Sequence, residues 1–385
     1  MFYLEIIIGI LFCSFWLSQL IFVRRHLNWS NKIEESDERD EKIPVSIIHP
    51  IKDVDFELEK NLESVFLQNY KGKVQHIFSF QDPSDPAIPI VQDFIKKFDY
   101  IDSIITINPL IAGLNGKSSN MVHGLKLAKY NTVLFIDSDL RVNKDFILKM
   151  VRPLSNKKVG LTTCGQMNIG GKDFWTRFFT FLQNSETDFM WAFFTKLNLN
   201  VGATGAAFAI NKNLLENIGG LERFGGSLLE DLHLGETLYK KGYKLILGPF
   251  LMSYVDKLPK EKSFNYAKRL GVGIKSHIAT DLPIFILMLS WYWIFLFIAI
   301  ILHRSDLLYL SFSFIGIRIL HTLAMRKISL NKILPIDFIM GLFFDLFGTF
   351  YLIYSFGNPY VVWRGIKYKV KDDGYIDEID YNAEK

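Results

Sequence analysis

The sequence predicts an α/β domain with a mostly parallel sheet, flanked by apolar helices at both ends of the chain. Three observations support this prediction. Apolar strands alternate with helical stretches between residues 44 and 260. A long apolar stretch precedes that region, and further apolar stretches follow it. The chain has 385 residues, more than an ordinary single domain needs, so it has room for both kinds of structure.

The apolar stretches predict helices that cross a membrane. Residues 2–23 are almost wholly apolar and lack a small-residue cleavage site, so they predict a retained anchor. The stretch 282–302 is long enough to span, and 307–325 and 333–356 are further candidates. We therefore predict an N-terminal transmembrane anchor (1–25), a charged linker (26–43), the α/β domain (44–260), an interfacial segment (261–280), a transmembrane region of two to three spans (281–357) and a polar tail (358–385).

Charge and cysteine content indicate the kind of partner, the membrane orientation and the redox compartment of the protein. The net charge of +4 is too small to indicate a nucleic-acid partner. Basic residues flank the apolar stretches, so the positive-inside rule predicts a multi-pass protein with its α/β domain on the cytosolic face. Two cysteines, Cys13 and Cys164, are too few for a disulfide framework and fit a reducing compartment. Three C-terminal spans would put the tail outside, whereas its basic residues favour the inside, and the sequence leaves this open.

The α/β domain is organised around one central strand. Val133 to Ile136 predict a strand buried on both faces, and Asp137 and Asp139 follow it directly. Ligands bind at the carboxyl ends of parallel strands, so this pair predicts a divalent-cation site. The alternative is a solvated Asp turn. The other predicted strands are 45–49, 75–80, 104–107 and 159–163, and the predicted helices between them are 55–69, 87–98 and 117–129.

Two neighbouring strands also end in polar residues. The first ends at His49 and the second is followed by Asp82, so both ends should line one crevice with Asp137. That crevice would hold a nucleotide, with its phosphates near the Asp pair. The alternative for Asp82 is an ordinary Asp-Pro turn.

A glycine-containing loop precedes the helix that leads into the central strand. Gly113 and Gly116 allow a close backbone turn, and Lys117 and Asn120 then follow within reach of a phosphate or sugar. The glycine spacing excludes a phosphate-binding loop of the nucleoside-triphosphatase type. A plain loop with a helix cap is the alternative.

Two features stand out in the second half of the domain. Small residues at 202–207 predict a backbone that passes close to another group. Glu230 and Asp231 open a helix, where an acidic residue either makes a favourable dipole contact or serves as a general base. Between the two features, the aromatic stretch 174–194 predicts core packing mixed with contact to a membrane surface or lipid.

The pattern resembles the inverting glycosyltransferases of family two type, which have the GT-A fold. It is most similar to the ceramide glucosyltransferase group and related bacterial lipid glycosyltransferases, over nearly the whole chain. The matching pieces occur in the family's order: Gln81-Asp82-Pro83, Ala128-Lys129-Tyr130, Asp137-Ser138, Arg141-Val142, Thr204-Gly205, Gly219-Gly220-Leu221 and Glu230-Asp231. The resemblance implies a membrane enzyme that moves a sugar, glucose in the nearest group, from a UDP-sugar to a hydroxyl of ceramide or a similar lipid.

The resemblance also implies roles for individual residues. Asp82 would contact the nucleotide, Asp137 and Asp139 would hold Mg²⁺ or Mn²⁺ with the diphosphate, and Asp231 would be the catalytic base. His49 and Lys52 stand where the family has Lys-Pro-Leu-Lys, and Arg269 is retained from an Arg-Trp motif whose Trp is Leu270 here. We expect the nucleotide-sugar site to comprise His49, Lys52, Asp82, Lys117, Asn120, Asp137 and Arg269.

Other functions remain open from sequence. A processive polysaccharide synthase would need more spans, and a polyprenyl phosphate is an alternative acceptor. The altered Arg-Trp motif is compatible with an inactive membrane scaffold or lipid-binding protein. The retained acidic residues, Asp82, Asp137, Asp139 and Asp231, argue against that alternative. In the apolar C-terminal region, Arg318, His321, Asp337 and Asp345 are costly in hydrocarbon and would pair with one another or line a headgroup path.

Overall fold

The computed structural model describes residues 2–32, 42–199, 202–278 and 282–380. The fold is the predicted α/β fold, with an eight-stranded sheet in the order β3-β2-β1-β4-β7-β6-β8-β5. The strands are β1 Val45–Pro50, β2 Val74–Phe80, β3 Asp102–Ile107, β4 Thr132–Ile136, β5 Leu140–Arg141, β6 Val159–Gly170, β7 Ala207–Asn211, β8 Lys244–Val255, β9 Tyr360–Trp363, β10 Ile366–Val370 and β11 Ile376–Asp380.

The helices follow the predicted alternation. They are α1 Phe2–Asn31, α2 Leu58–Phe66, α3 Ala87–Lys97, α4 Gly116–Lys126, α5 Phe146–Val151, α6 Phe174–Phe181, α7 Phe189–Lys196, α8 Lys212–Asn217, α9 Glu222–Gly225, α10 Glu230–Lys240, α11 Lys260–Ile278, α12 Leu282–Ile301, α13 Ser305–Ile328 and α14 Pro335–Gly357. A 3₁₀ turn covers Arg152–Ser155, and a π-helical segment covers Leu182–Asp188.

The chain divides into two compact units. The sheet unit comprises His26–Asn168 and Thr187–Asp256, and the helical unit comprises Met1–Arg25, Ile169–Glu186 and Lys257–Lys385. The segment Ile169–Glu186, which we had assigned to the α/β domain, thus belongs to the helical unit. Residues 33–41 of the predicted linker and 381–385 of the predicted tail lie outside the described residues.

The sheet unit brings three strand ends to one edge. β1 pairs in parallel with β2 and with β4, so their carboxyl ends at Pro50, Phe80 and Ile136 are neighbours. All five residues of β4 are buried, because the strand is covered on both faces. Val133 and Phe135 pack with residues of α4 on one face, and Leu134 and Ile136 pack with residues of α5 on the other. Each fully buried aliphatic side chain of this kind contributes about 1.5–3 kcal/mol. Close packing on both faces therefore fixes the strand that carries Asp137.

The helical unit pairs the polar residues that its apolar helices carry. The Arg318 guanidinium donates to both oxygens of Asp345 at 2.7 and 2.8 Å and contacts the His321 ring at 2.9 Å, as the pairing hypothesis predicted. Asp337 instead binds Arg177, a residue of α6 that we had not considered, and Arg326 lies 3.2 Å from the same carboxylate. All six side chains are buried, so the pairs satisfy charges that would otherwise be costly inside the unit.

Two features near the ends of the chain were not predicted. The polar tail contains an antiparallel sheet in the order β11-β10-β9, because its alternating residues pair across short turns. The N-terminal helix continues to Asn31, beyond the predicted end of the anchor. Among the described residues, two helices, Phe2–Asn31 and Ser305–Ile328, are long and apolar enough to cross a membrane. The other two predicted spans are also helical, at Leu282–Ile301 and Pro335–Gly357.

Candidate active site

The turn after β4 carries two carboxylates. Asp137 and Asp139 are half-buried, whereas Ser138 between them is buried. The Ser138 hydroxyl donates to Asp55 at 2.5 Å, and its carbonyl accepts from the Asn61 amide at 3.1 Å. These bonds anchor the turn to the segment around α2.

Lys117 brings a positive charge to this turn from the start of α4. Its Nζ lies 2.7 and 2.8 Å from the two oxygens of Asp137, and it donates to the carbonyl of Gly205 at 2.7 Å. Burial lowers the pKa of Lys117, but the charges of Asp137 and Glu230 outweigh it and the net shift is upward. Lys117 is therefore a permanent cation here, and it lies in the crevice as the sequence predicted.

The predicted base, Asp231, stands at the start of α10, and hydrogen bonds join this helix start to the residue that caps α4. Asn115 caps α4, donates to the Ser227 carbonyl at 2.6 Å and lies 3.3 Å from Glu230. These contacts fix the first residues of α10, where Asp231 stands. Burial, and then the charge of Glu230, raise the pKa of Asp231 to about 7, although Lys117 opposes the shift. A carboxylate of this kind can accept a proton at neutral pH, which a general base requires.

Gly205 is the point at which a backbone passes close to the base. A Cβ added there would lie 2.8 Å from Oδ2 of Asp231 and 3.4 Å from Nζ of Lys117. Thr204 beside it is held by Thr163, whose hydroxyl accepts from the Thr204 amide at 2.9 Å. The small-residue stretch therefore makes room for the charged groups of the crevice.

Asp188 is a residue of this crevice that sequence reasoning missed. Its side chain is 9% exposed, and its Oδ2 has no hydrogen-bond partner among the residues that the structure describes. Burial raises its pKa well above the usual value, and the charges of Asp231 and Asp139 add to this effect. The protonated form of Asp188 is therefore favoured relative to that of an exposed aspartate, and the side chain lies within electrostatic reach of Asp231 and Asp139. No local pattern reveals it, because it ends the π-helical segment in a stretch that we interpreted through its aromatic residues.

Asp82 lies at the end of β2, as expected, and is exposed. The amide and hydroxyl of Ser84 donate to its Oδ1 at 2.8 and 2.6 Å. These bonds, and more weakly the charge of Lys52, lower the pKa of Asp82. The neighbouring Asp85 is instead buried and accepts from the backbone amides of Asp53 and Ala87, so it shapes the loop.

Two predicted binding residues point away from solvent. The His49 ring is 1% exposed, stacks on Phe78 and meets His76 at 3.1 Å, and burial lowers its pKa to about 3. Its imidazole therefore has no accessible atom for the nucleotide contact that we predicted. Asn120 is also buried, and its amide donates to the Ile51 carbonyl at 3.1 Å. This bond supports the strand end next to Lys52.

Arg269 belongs to α11 in the helical unit and is held by aromatic rings. Its guanidinium lies 4.4 Å from the ring centre of Trp363 and 4.9 Å from that of Tyr266. These distances are within cation–π range, so both rings contribute to holding the guanidinium. The buried Nε of Arg269 has no hydrogen-bond partner within the described ranges.

The acidic turn fits a divalent cation that a substrate helps to bind. Within the described part of the chain, no three His, Cys, Asp or Glu side chains converge to hold a metal by themselves. Asp137 and Asp139 provide two hard oxygen ligands, and Mg²⁺ sites commonly combine one or two carboxylates with phosphate oxygens and water. The ammonium of Lys117 on Asp137 shows that this position attracts a cation.

Comparisons with known proteins relate the chain to a family and to a known fold. Residues 8–376 match the sequence model of Glycosyl transferase family 21. Ceramide glucosyltransferase 3 of Caenorhabditis elegans is 29% identical over 245 residues, 60% of this chain and 50% of the relative. Ceramide glucosyltransferase 1 of the same species is 28% identical over 252 residues, 64% of this chain and 53% of the relative. The chain thus spans about half the length of these curated relatives.

A solved structure supports the fold. A mannosyltransferase from Pyrobaculum calidifontis, in complex with GDP-Man and Mn²⁺, superposes with a TM-score of 0.51 and 18% identity. The superposition covers 91% of this chain and 97% of the other. The motifs resembled family two, whereas the matching family model is that of family 21, so the family-two assignment was not confirmed. The match over nearly the whole chain shows that this protein is a glycosyltransferase that belongs to family 21.

Proposed function

We propose that this protein is a membrane-bound inverting glycosyltransferase that moves glucose from a UDP-sugar to the hydroxyl of a membrane lipid such as ceramide. The observation that carries the proposal is the half-buried Asp231, whose pKa is raised to about 7, beside Lys117 and the Asp137 turn. This arrangement joins a base to a cation-binding turn in one crevice. The ceramide glucosyltransferases among its relatives motivate the choice of donor sugar and acceptor.

The donor would bind along the edge formed by β1, β2 and β4. We assign nucleotide contacts to Lys52 and Asp82, whose charges influence each other. Asp137 and Asp139 would hold Mg²⁺ or Mn²⁺, which supplies charge neutralisation for the departing diphosphate when bound. Lys117 is a second positive charge at the turn. A diphosphate contact of Arg269 stays a prediction from the motif.

Asp231 would take the proton of the acceptor hydroxyl as that oxygen attacks the anomeric carbon. The new bond forms on the face opposite the sugar-phosphate bond that breaks, and the electron pair of that bond leaves with the diphosphate. One displacement inverts the centre without a covalent intermediate. Asp231 is suited to this proton transfer because its pKa is near neutrality. A base works best when its pKa is close to the working pH.

We also propose that the sheet unit faces the cytosol and that the acceptor reaches it from the adjoining leaflet. Two helices long and apolar enough to cross a membrane support the membrane location, and basic residues beside the apolar stretches support the orientation. A lipid held in two dimensions meets the base at a lower entropic cost than a free alcohol.

The proposal is tested with membranes that contain the full chain, a panel of radiolabelled UDP-sugars, and Mg²⁺ or Mn²⁺. We expect label from UDP-glucose to enter the lipid extract with the wild type and not with Asp231→Asn. Chromatography before and after mild acid separates a neutral glycolipid from an acid-labile polyprenyl phosphate sugar. Label in an ethanol-insoluble polymer would favour a synthase, and no transfer with ceramide supplied would overturn the proposed donor and acceptor.

A further inference from the structure

An open aromatic groove lies in the helical unit between α11 and α14. It has a volume of about 460 Å³ and is lined by Phe264, Asn265, Lys268, Phe347, Phe350 and Tyr354. Phe350 is 71% exposed and Tyr354 is 54% exposed, so the aromatic wall is open along α14. This volume lies within the range of about 300–1,000 Å³ that small-molecule sites occupy.

The groove adjoins two lysines, Lys268 and Lys367, that have no acidic partner among the residues that the structure describes. Lys268 lies 5.6 Å from the ring centre of Tyr354, and Lys367 of β10 lies 4.9 Å from that of Tyr360. Within the described ranges, neither lysine forms an ion pair with a carboxylate. Burial, and then the charge of Lys367, lower the pKa of Lys268, so the two ammonium groups are close enough to repel each other.

Neighbouring lysines of the same tail sheet are different. Lys369 binds Asp377 and Glu378 at 3.1 and 2.9 Å, and Lys371 lies 3.9 Å from Asp377. Carboxylates are therefore available in this sheet but do not reach Lys268 or Lys367. A cationic pair beside an apolar groove favours a ligand that combines negative charge with hydrocarbon.

We propose that this groove binds an anionic phospholipid, with one acyl chain along Phe264, Phe347 and Phe350 and the phosphate between Lys268 and Lys367. Asn265 would add a hydrogen-bonding group at the same end. The site differs from the acceptor site of the proposed reaction, because ceramide carries no charge that these lysines would recognise. Lipid binding here does not require sugar transfer, so the two proposals stand or fall separately.

The test measures lipid retained by the purified full chain in detergent micelles. Phosphatidylglycerol or phosphatidylcholine with identical acyl chains is added, free lipid is removed, and bound lipid is counted by mass spectrometry. We expect selective retention of phosphatidylglycerol. Lys268→Gln/Lys367→Gln should weaken it about 25-fold, from roughly fivefold per lysine near an anionic surface. The matched control Lys369→Gln/Lys371→Gln removes two lysines that already have acidic partners, and it should retain the lipid like the wild type.

Further arms keep the proposal falsifiable. Phe347→Ala/Phe350→Ala should lower retention of phosphatidylglycerol without removing either lysine. If the double lysine variant fails to fold, Lys367→Gln alone and a salt titration of the wild type replace it, and both should weaken retention. Equal retention of the two lipids, or a double variant that binds like the wild type, overturns the proposal. Displacement of the lipid by inorganic phosphate alone would identify a soluble-anion site and would overturn it too.

Discussion

The acidic groups of the sheet unit and those of the helical unit differ in how well their charge is balanced by cations. In the helical unit, Asp345 is matched by Arg318, and Asp337 lies between Arg177 and Arg326. In the sheet unit, the crevice gathers the acidic side chains of Asp137, Asp139, Asp188, Glu230 and Asp231 around Lys117. The first arrangement satisfies buried charge, whereas the second leaves negative charge in excess.

This difference separates structural from chemical roles. A buried carboxylate with a matched arginine holds helices together, and its removal leaves an uncompensated guanidinium. A carboxylate without such a match has a raised pKa and so becomes able to exchange a proton near neutral pH. Perturbed protonation in the crevice thus points to catalysis, and balanced pairs point to stability.

The largest expected effect tests the chemical side of this comparison. Asp231→Asn removes the proposed base and should lower the transfer rate by about 10²–10⁴-fold, the usual contribution of a general base. At pH 8 the variant should be at least as resistant to thermal unfolding as the wild type, because it no longer buries a charge. Asp102→Asn, an exposed carboxylate paired with Lys129, should change neither quantity. Full activity of Asp231→Asn would remove Asp231 from the mechanism.

The next prediction tests the structural side. Asp337→Asn leaves Arg177 and Arg326 buried without their carboxylate, and should lower the free energy of unfolding by about 3–5 kcal/mol. Thermal unfolding of the purified chain in detergent measures the change. Asp306→Asn, which breaks an exposed pair with Arg304, is the control and should leave the transition unchanged. An unaltered transition for Asp337→Asn would mean that the buried pairs do not stabilise the helical unit.

A smaller effect is expected where the backbone approaches the base. Gly205→Ala would put a methyl group 2.8 Å from Asp231, so the carboxylate must move. Displacement of a catalytic group by about 1 Å can cost about 10²-fold in rate, and we expect a loss of that size with little change in thermal unfolding. Gly116→Ala is the control. A Cβ at Gly116 would lie 3.2 Å from the nearest side-chain atom of Gln81, so this variant should lose less activity than Gly205→Ala. Gly113 is unsuitable for this purpose, because it has a φ of 80°.

The pH dependence follows from the charges around Asp231. The ionised form acts as base, so kcat/KM should rise with pH, reach half its maximum near pH 7 and fall about tenfold per unit below that. Lys117 lowers the pKa of Asp231, so Lys117→Met should move the midpoint to higher pH. Lys129→Met, in an exposed ion pair on another strand edge, should not move it. A midpoint that is unchanged in Lys117→Met would show that Lys117 does not set the ionisation of the base.

The smallest effect is expected at Asp188. Burial raises its pKa and so favours its protonated form, which Asp188→Asn resembles in shape and charge. Transfer should fall by less than about tenfold, which corresponds to under about 1.4 kcal/mol of activation free energy. A loss as large as that of Asp231→Asn would show that Asp188 works as a charged carboxylate.

Much of the fold and part of the crevice could be predicted because they depend on local pattern. The buried strand before Asp137, the helix start at Lys117 and the acidic start of α10 all lie where the sequence suggested. The adjacency of β1, β2 and β3 followed from βαβ units, which put consecutive strands beside one another, whereas the pairing of β1 with β4 joins strands that are not consecutive and did not follow from that rule. The family label did not follow in the same way, since the motifs suggested family two and the whole-chain match is to family 21.

The sequence by itself determined which carboxylates stand at strand ends and helix starts, because burial and periodicity are properties of neighbouring residues. Only the tertiary structure decided which of them meet. Asp188 faces Asp231 and Asp139, Arg177 reaches Asp337 from 160 positions away, and Trp363 stacks on Arg269. The His49 ring turned inward for the same reason, since the strand beside it supplied His76 and Phe78 as partners. Such contacts join residues distant in the chain, and their energies depend on packing that no local pattern encodes.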